Sequence, residues 1–341
     1  MIDGTISRPI DANLALELVR ATEAAALAAA QWIGRGDKNS VDMAAVDAMR
    51  LVLNAADMDG LVVIGEGEKD EAPMLYIGEE VGNGRPPSVD IAVDPIDGTT
   101  LASKGGSGAI SVVAAAERGA LFHTHVPYMD KIVVGPAAAG LISIDAAPAN
   151  NALAIAKALR RPVETLTVAV MERPRNDDLV RELRAIGARI RLFGDGDIAA
   201  ALVAMMEEYP HVDILMGIGG APEGVVTACA VKSLGGDMQA RLWSRGDQDV
   251  ALAQQEGIEI STALQLDDLC RGENAFFAAT GLTDGELLRG VRHTGRNAQT
   301  DSIEMRSSSG TVRRIRATHN LARLRALAGT RYSAQSTPEI V

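Results

Sequence analysis

The chain has 341 residues, a formal net charge of −12 at pH 7 and only 3% aromatic residues. The length exceeds what one hydrophobic core usually supports, so it predicts two subdomains with a functional site between them. The acidic balance disfavours nucleic acids and anionic membrane surfaces as partners, and the low aromatic content disfavours binding by base stacking.

Cysteine usage and the first apolar segment bear on location. Cys229 and Cys270 have no CxxC spacing, which fits a reducing cytoplasm and excludes a zinc site built from cysteines. Charged residues such as Glu17 and Arg20 interrupt the Ala-rich segment 14–33 at helical spacing, which predicts an amphipathic helix and not a membrane span. We therefore expect a cytoplasmic protein that does not enter the membrane.

The first half of the chain combines two helices with many short strands. This density predicts an antiparallel or mixed sheet covered by the helices. A boundary is expected near Arg160, which gives an N-terminal α+β domain at 1–160 and a C-terminal α/β domain at 161–341 with a basic tail. The predicted helices are 13–34 and 41–55, and the predicted strands are 60–64, 89–94, 109–115, 120–125, 131–134 and 141–144.

Strands and helices alternate after the boundary. This order predicts parallel strands with helical crossovers, and ligands gather at the C-terminal ends of such strands. Three loops are expected at those ends, namely 172–175, 194–197 and 217–224. The predicted strands are 165–171, 188–193 and 212–216, and the predicted helices are 176–186, 197–207 and 223–234.

The segment Asp94-Pro95-Ile96-Asp97 is the main candidate for chemistry. A strand-like run precedes it, and Pro95 is expected to end that strand because it has no backbone N–H to pair. Two carboxylates about 4 Å apart repel each other by roughly 4 kcal/mol at an effective dielectric near 20, so the site needs a shared proton or a cation. The hydroxyl of Thr99 favours a hard divalent cation, although these residue types are also common in plain turns.

Other acidic residues occupy comparable places. Glu66 follows a predicted strand, and its neighbours Gly65 and Gly67 let a ligand approach the backbone. Glu223 begins a helix behind a Gly-rich loop, and Asp42 lies near the start of the second helix. For the last two, a purely electrostatic role at a helix N-terminus is the structural alternative.

The predicted loops of the second half contain candidate substrate contacts. Arg173 and Arg175 can each hold a phosphate through two hydrogen bonds, unless they form an ordinary surface pair. The run 194–199 matches a dinucleotide-binding pattern. However, Asp195 and Asp197 would face the pyrophosphate, and their carboxylates suit sugar hydroxyls better.

Together these motifs resemble the lithium-sensitive, metal-dependent sugar phosphatase superfamily, and most closely class II fructose-1,6-bisphosphatase. The resemblance rests on four segments, 34–39, 63–79, 90–99 and 217–224. It implies a layered α-β-α-β-α sandwich with two subdomains, an active site between them and a metal-binding N-terminal domain. The implied activity is hydrolysis of the 1-phosphate of fructose 1,6-bisphosphate. Alternatives are sedoheptulose 1,7-bisphosphate, an inositol or nucleotide phosphate, or a catalytically silent sugar-phosphate sensor.

The resemblance also implies roles for individual residues. It implies Mg²⁺ or Mn²⁺ held by the carboxylates of Asp42, Glu66, Asp94, Asp97 and Glu223. Thr99, Asp97 and Glu66 are the implied catalytic residues, and a homodimer or homotetramer is the implied assembly. This class often has Glu at position 97, so the contact of Asp97 with metal is an open question. The implied substrate contacts are Gly98, Thr99, Tyr128, Arg173, Pro174, Arg175, Asp195, Gly196, Asp197 and Gly220.

Overall fold

The computed structural model describes residues 14–66, 75–206, 208–209 and 212–327. The helices of this part are α1 (Leu14–Ala29), α2 (Lys38–Leu53), α3 (Thr99–Lys104), α4 (Pro148–Ala158), α5 (Asp177–Ala185), α6 (Asp197–Met205), α7 (Ala221–Leu234), α8 (Asp247–Gln255), α9 (Leu266–Leu269) and α10 (Leu321–Leu327). The strands are β1 (Asp59–Ile64), β2 (Glu80–Val81), β3 (Ser88–Asp97), β4 (Ile110–Glu117), β5 (Tyr128–Val134), β6 (Thr167–Met171), β7 (Arg189–Phe193), β8 (Ile214–Gly220), β9 (Asp237–Trp243), β10 (Leu264–Gln265), β11 (Phe276–Gly281), β12 (Arg292–Thr294), β13 (Asn297–Arg306) and β14 (Thr311–Asn320).

The strands form two sheets. The larger sheet has the order β12-β13-β11-β4-β3-β1-β2, with β14 paired to β13, and the smaller has the order β10-β9-β5-β8-β6-β7. In the larger sheet β1 and β3 are parallel while β3 and β4 are antiparallel, which confirms the predicted mixed sheet. In the smaller sheet β6, β7 and β8 are parallel, as their alternation with helices predicts, and β5 and β9 are antiparallel to their neighbours.

Five layers follow from the packing of side chains. Leu18 of α1 and Met49 of α2 pack on one face of the larger sheet. Helices α6 and α7 form a middle layer between the two sheets. On the outer face of the smaller sheet, Ile155 of α4 and Leu183 of α5 bury Val168. The α-β-α-β-α sandwich is therefore confirmed.

Two predicted strands are wrong. Residues 141–144 form no strand because side chains bind their backbone, with Asn151 accepting from the N–H of Ser143 at 2.8 Å and Gln239 from that of Ile144 at 2.9 Å. Segment 120–125 makes only an isolated bridge between Leu121 and Cys270.

Two predicted strand ends also need correction. Strand β3 continues through Pro95 to Asp97, because the pairing with β4 shifts between Asp94 and Asp97 and no partner needs an N–H from Pro95. Residues 217–220, expected in a loop, form the end of β8 and pair with β5.

The sheets do not divide the chain at residue 160. Strand β5 lies before this point but belongs to the smaller sheet, while β11, β13 and β14 lie after it and belong to the larger sheet. The two domains with that boundary stay a prediction. The basic tail forms β14, where Arg313 and Arg316 are exposed, and its end beyond residue 327 lies outside the described residues. No helix of the described part is long and apolar enough to cross a membrane.

Candidate active site

The candidate residues meet at one edge of both sheets. Strands β1 and β3 run parallel, so their C-terminal ends lie at the same edge of the larger sheet. Glu66 follows the end of β1, and Asp97 is the last residue of β3. Strands β6, β7 and β8 run parallel in the smaller sheet, and their C-terminal ends lead into the segments that carry Arg175, Asp197 and Glu223. Hydrogen bonds between Asp97 and α6 join the two edges.

Thr99 is held at the start of α3 by a neighbouring acid. Its hydroxyl lies 2.8 Å from Oδ1 of Asp42 and 3.0 Å from the carbonyl oxygen of Ile96. The next residue is also anchored, because Lys38 donates to the Thr100 hydroxyl at 2.7 Å and the Thr100 N–H donates to Asp195 at 3.1 Å. The start of α3 is therefore fixed from α2 and from the loop before α6.

Burial raises the pKa values of the clustered carboxyl groups. The pKa of Asp42 rises to about 6, and that of Glu66 rises to about 7 through burial and then the charges of Asp42 and Glu223. Burial also raises the pKa of Asp94 well above its usual range, with repulsion from Asp97 and Glu66 as the next causes. The cluster is thus short of positive charge.

The chemistry of these side chains suits a hard divalent cation, which prefers oxygen ligands. Within the described residues, no donor forms a hydrogen bond with the carboxylate of Glu66 or of Asp94. Within the described part of the chain, however, no three His, Cys, Asp or Glu side chains converge closely enough to hold a metal ion as they stand. The donor set fits a metal in its chemistry, but its spacing is wider than coordination requires.

Asp97 differs from the other acids because both of its oxygens are engaged. Oδ1 accepts the N–H of Asp197 at 3.1 Å, and Oδ2 accepts those of Ile198 at 3.0 Å and Ala199 at 3.2 Å. Burial and the charges of Asp197 and Glu223 still raise the pKa of Asp97 to about 8. Because Asp97 occupies the N–H groups at the start of α6, this helix end has none to offer a pyrophosphate, which removes the support for dinucleotide binding.

Close packing places Glu223 at the start of α7. A Cβ atom on Gly220 would lie 1.8 Å from Oε2 of Glu223, so only glycine allows this carboxylate to fold back over the end of β8. The pKa of Glu223 is raised overall, because the effect of burial exceeds the opposing effect of the nearby charge of Lys131. Tyr128 pairs with Gly220 across the sheet and brings the aromatic ring to the same edge.

Two arginines lie over the ring of Tyr128. The Cζ atom of Arg175 is 4.5 Å and that of Arg245 is 5.6 Å from the ring centroid, and the ring packs edge-on against Trp243 with centroids 6.0 Å apart. Nε of Arg175 also donates to the carbonyl oxygen of Ile218 at 3.1 Å. Arg245 is also bound through two nitrogens to the carboxylate of Asp249, so Arg175 is the main source of positive charge in this cluster.

The remaining candidate substrate contacts, Arg173, Pro174, Gly98 and Gly196, lie where a 3₁₀ turn or a helix begins. Arg173 donates to the carbonyl oxygen of its neighbour Glu172 at 2.9 Å, and the exposed Pro174 begins a 3₁₀ turn. Gly98 and Gly196 each precede the first residue of a helix, α3 and α6 respectively.

Sequence reasoning missed Lys131 and Arg245. Lys131 is one of the largest fully buried side chains in the described residues and contacts the carboxylate of Asp197. A lysine at the start of the predicted strand 131–134 was the available signal. Arg245 had no comparable signal. The acids Glu68, Asp70 and Glu71, which belong to a segment of the resemblance, lie outside the described residues.

Comparisons with known proteins identify the family of the chain. Residues 12–319 match the family model described as "Bacterial fructose-1,6-bisphosphatase, glpX-encoded". The chain is 45% identical to "Fructose-1,6-bisphosphatase 1 class 2" of Escherichia coli (strain K12), over 91% of this chain and 96% of the relative. The identity and the coverage are the same for "Fructose-1,6-bisphosphatase class 2" of Shigella flexneri. The chain therefore belongs to the family of glpX-encoded bacterial fructose-1,6-bisphosphatases.

Proposed function

We propose that this chain hydrolyses the 1-phosphate of fructose 1,6-bisphosphate to give fructose 6-phosphate and inorganic phosphate. Family membership supports the reaction. The structural observation that carries the proposal is the hydrogen bond of 2.8 Å between Thr99 and Asp42 beside a group of buried acids with raised pKa values. This arrangement suits attack by water on a phosphate at the edge of the larger sheet.

We propose Mg²⁺ or Mn²⁺ as the cofactor. Asp42, Glu66, Asp94 and Glu223 would hold it, and Asp97 would contribute through the lone pair that its three N–H donors leave free. When bound, such an ion neutralises phosphoryl oxygens and lowers the pKa of a coordinated water. The carboxylates must move closer together to share the ion, and the relief of their mutual repulsion favours that movement.

The Thr99 hydroxyl has a direction that suits the attacking water. When it donates its proton to Asp42, its own oxygen is left to accept a hydrogen bond. A water that donates one proton to Thr99 has a lone pair fixed in space for attack on phosphorus. Glu66 is the proposed acceptor for the second proton.

The phosphate that stays on the sugar needs a separate cation. We propose that Arg175 binds it, with its guanidinium held by stacking on the ring of Tyr128 and by the hydrogen bond from its Nε to the carbonyl oxygen of Ile218. Arg173 and Pro174 would line the same edge. The loop Asp195-Gly196-Asp197, together with Gly98 and Gly220, would enclose the sugar between the two sheets. Binding at this remote group aligns the reacting phosphate.

A panel of sugar phosphates tests the substrate. Fructose 1,6-bisphosphate, sedoheptulose 1,7-bisphosphate, fructose 1-phosphate, inositol 1-phosphate and a nucleoside monophosphate are assayed for phosphate release with Mg²⁺ and with Mn²⁺. We expect the highest kcat/KM with fructose 1,6-bisphosphate, and comparable turnover of the seven-carbon sugar would extend the proposal to both. Binding of a bisphosphate without phosphate release would overturn it in favour of a sensor.

The assembly and the location are also proposals. We propose a homodimer or homotetramer, which the resemblance supports, and a cytoplasmic location, which the absence of a CxxC spacing supports. Light scattering coupled to size-exclusion chromatography measures the mass of the assembly, and a mass of about one chain would contradict the proposed oligomer.

A further inference from the structure

Lys131 carries a buried positive charge inside the framework of the site. It lies on β5, and only 1% of its side chain is exposed. Its neighbours on the same face of the strand, Met129 and Val133, are buried against the middle layer. An ammonium group in such surroundings is costly unless it is fully paired, so its retention calls for a specific reason.

The ammonium group joins two segments that form the site. Nζ donates to the carboxylate of Asp197, the first residue of α6, and to the carbonyl oxygen of Gly220 at 3.2 Å. Gly220 directly precedes α7, which carries Glu223 in its first turn. The N–H of Asp197 is in turn bound by Asp97 at the end of β3. One lysine thus connects α6, α7 and, through Asp97, the larger sheet.

The end of β8 packs closely against this ion pair at Gly219. A Cβ atom on Gly219 would lie 2.2 Å from Oδ2 of Asp197 and 2.8 Å from Nζ of Lys131. The end of β8 therefore rests directly on the pair. The pair is thus in contact with the two residues, Gly219 and Gly220, that lead into α7.

We propose that Lys131 is a positioning residue for the hydrolysis, a role that rests on the proposed function. It holds the N-terminal ends of α6 and α7 at one separation, and that separation sets the distance between Asp97 and Glu223 across the site. A side chain without donors, such as Met, fills a similar volume but cannot bridge the two acceptors. Without the bridge, the carboxylates lose the spacing from which they close around a cation.

The test measures Mn²⁺ binding in the absence of substrate, by the loss of the free-ion signal in electron paramagnetic resonance. Lys131→Met is compared with Gly219→Ala, which keeps both charges and alters only the packing. We expect Mn²⁺ to bind at least tenfold more weakly to both variants. We also expect kcat for fructose 1,6-bisphosphate to fall at least tenfold in both, with KM changed less than threefold.

Lys232→Met is the matched control. Lys232 also pairs with one carboxylate, that of Asp267, and donates to one carbonyl oxygen, that of Cys270 at 2.9 Å, but it lies in the last turn of α7. This variant should lower the Tm and leave the affinity for Mn²⁺ unchanged. If Lys131→Met behaves in the same way, Lys131 only stabilises the fold and the proposal is overturned.

Other outcomes are equally informative. Tighter Mn²⁺ binding by Lys131→Met would show that the lysine acts as a competing charge and not as a spacer, which contradicts the proposal. If Lys131→Met does not fold, Gly219→Ala decides the matter, and normal Mn²⁺ affinity there refutes a role in spacing. Failure of the wild type to hydrolyse fructose 1,6-bisphosphate would instead refute the proposed function, while the Mn²⁺ measurements would remain valid.

Discussion

Replacing Glu66 by Gln should stabilise the metal-free protein above neutral pH. Burial, followed by the charges of Asp42 and Glu223, raises the pKa of Glu66 from 4.5 to about 7. A carboxyl group with a higher pKa in the folded state keeps its proton longer there than in the unfolded chain. Its contribution to stability is therefore complete below pH 4.5 and is lost as the pH rises through about 7. Gln does not ionise, so the variant avoids this loss.

The size of the effect follows from the same pKa values. One pKa unit corresponds to about 1.4 kcal/mol, so a rise from 4.5 to about 7 amounts to about 3 kcal/mol at pH 8 and to almost nothing near pH 4.5. With an unfolding entropy of about 2.1 cal/mol/K per residue, 341 residues convert this difference into a rise in Tm of about 4 °C.

Thermal and urea unfolding in the presence of a chelator measure the effect. Wild type and Glu66→Gln are compared at pH 5 and pH 8, with Glu80→Gln as a control at an exposed glutamate on β2. Added Mg²⁺ should then stabilise the wild type more than Glu66→Gln, because the variant has lost a ligand. The reasoning is refuted if Glu66→Gln is no more stable than wild type at pH 8 in chelator, or if its gain is the same at both pH values.

Three further predictions concern activity. Thr99→Ala should lower kcat by orders of magnitude with little change in KM, and Thr99→Ser should retain most of the rate; the opposite split in steady-state kinetics would make Thr99 a binding residue. Arg175→Ala should lower kcat/KM for fructose 1,6-bisphosphate ten- to a hundredfold, since a charged hydrogen bond contributes about 1.5–3 kcal/mol, and should leave fructose 1-phosphate hydrolysis nearly unchanged. Exhaustive chelation should abolish phosphate release until Mg²⁺ or Mn²⁺ is restored, and full activity after chelation would exclude a metal-dependent reaction.

The layers of the fold could be predicted from the sequence, whereas some strands and strand ends could not. Alternating elements predicted the parallel strands β6 to β8, because a helical crossover fixes the direction of the next strand. Segment 141–144 has the apolar character of a strand, but its N–H groups are satisfied by Asn151 and Gln239, one of them almost a hundred residues away. A local pattern carries no information about such partners. The membership of β5 in the smaller sheet could not be predicted for the same reason, since its pairing partners come much later in the chain.

The candidate site shows the same limit at the level of single side chains. The sequence identified Asp97 as one of several similar acids, yet it is the one whose oxygens accept three N–H groups of α6. The pairing of β3 with β4 shifts between Asp94 and Asp97, an irregularity that the sequence pattern did not predict. The hydrogen bonds from α6 therefore attach Asp97 to the start of this helix. Asp197, the first residue of α6, in turn contacts Lys131. The contribution of Asp97 to a metal site depends on an arrangement of three elements from two sheets, which neither its residue type nor its spacing from Asp94 contains.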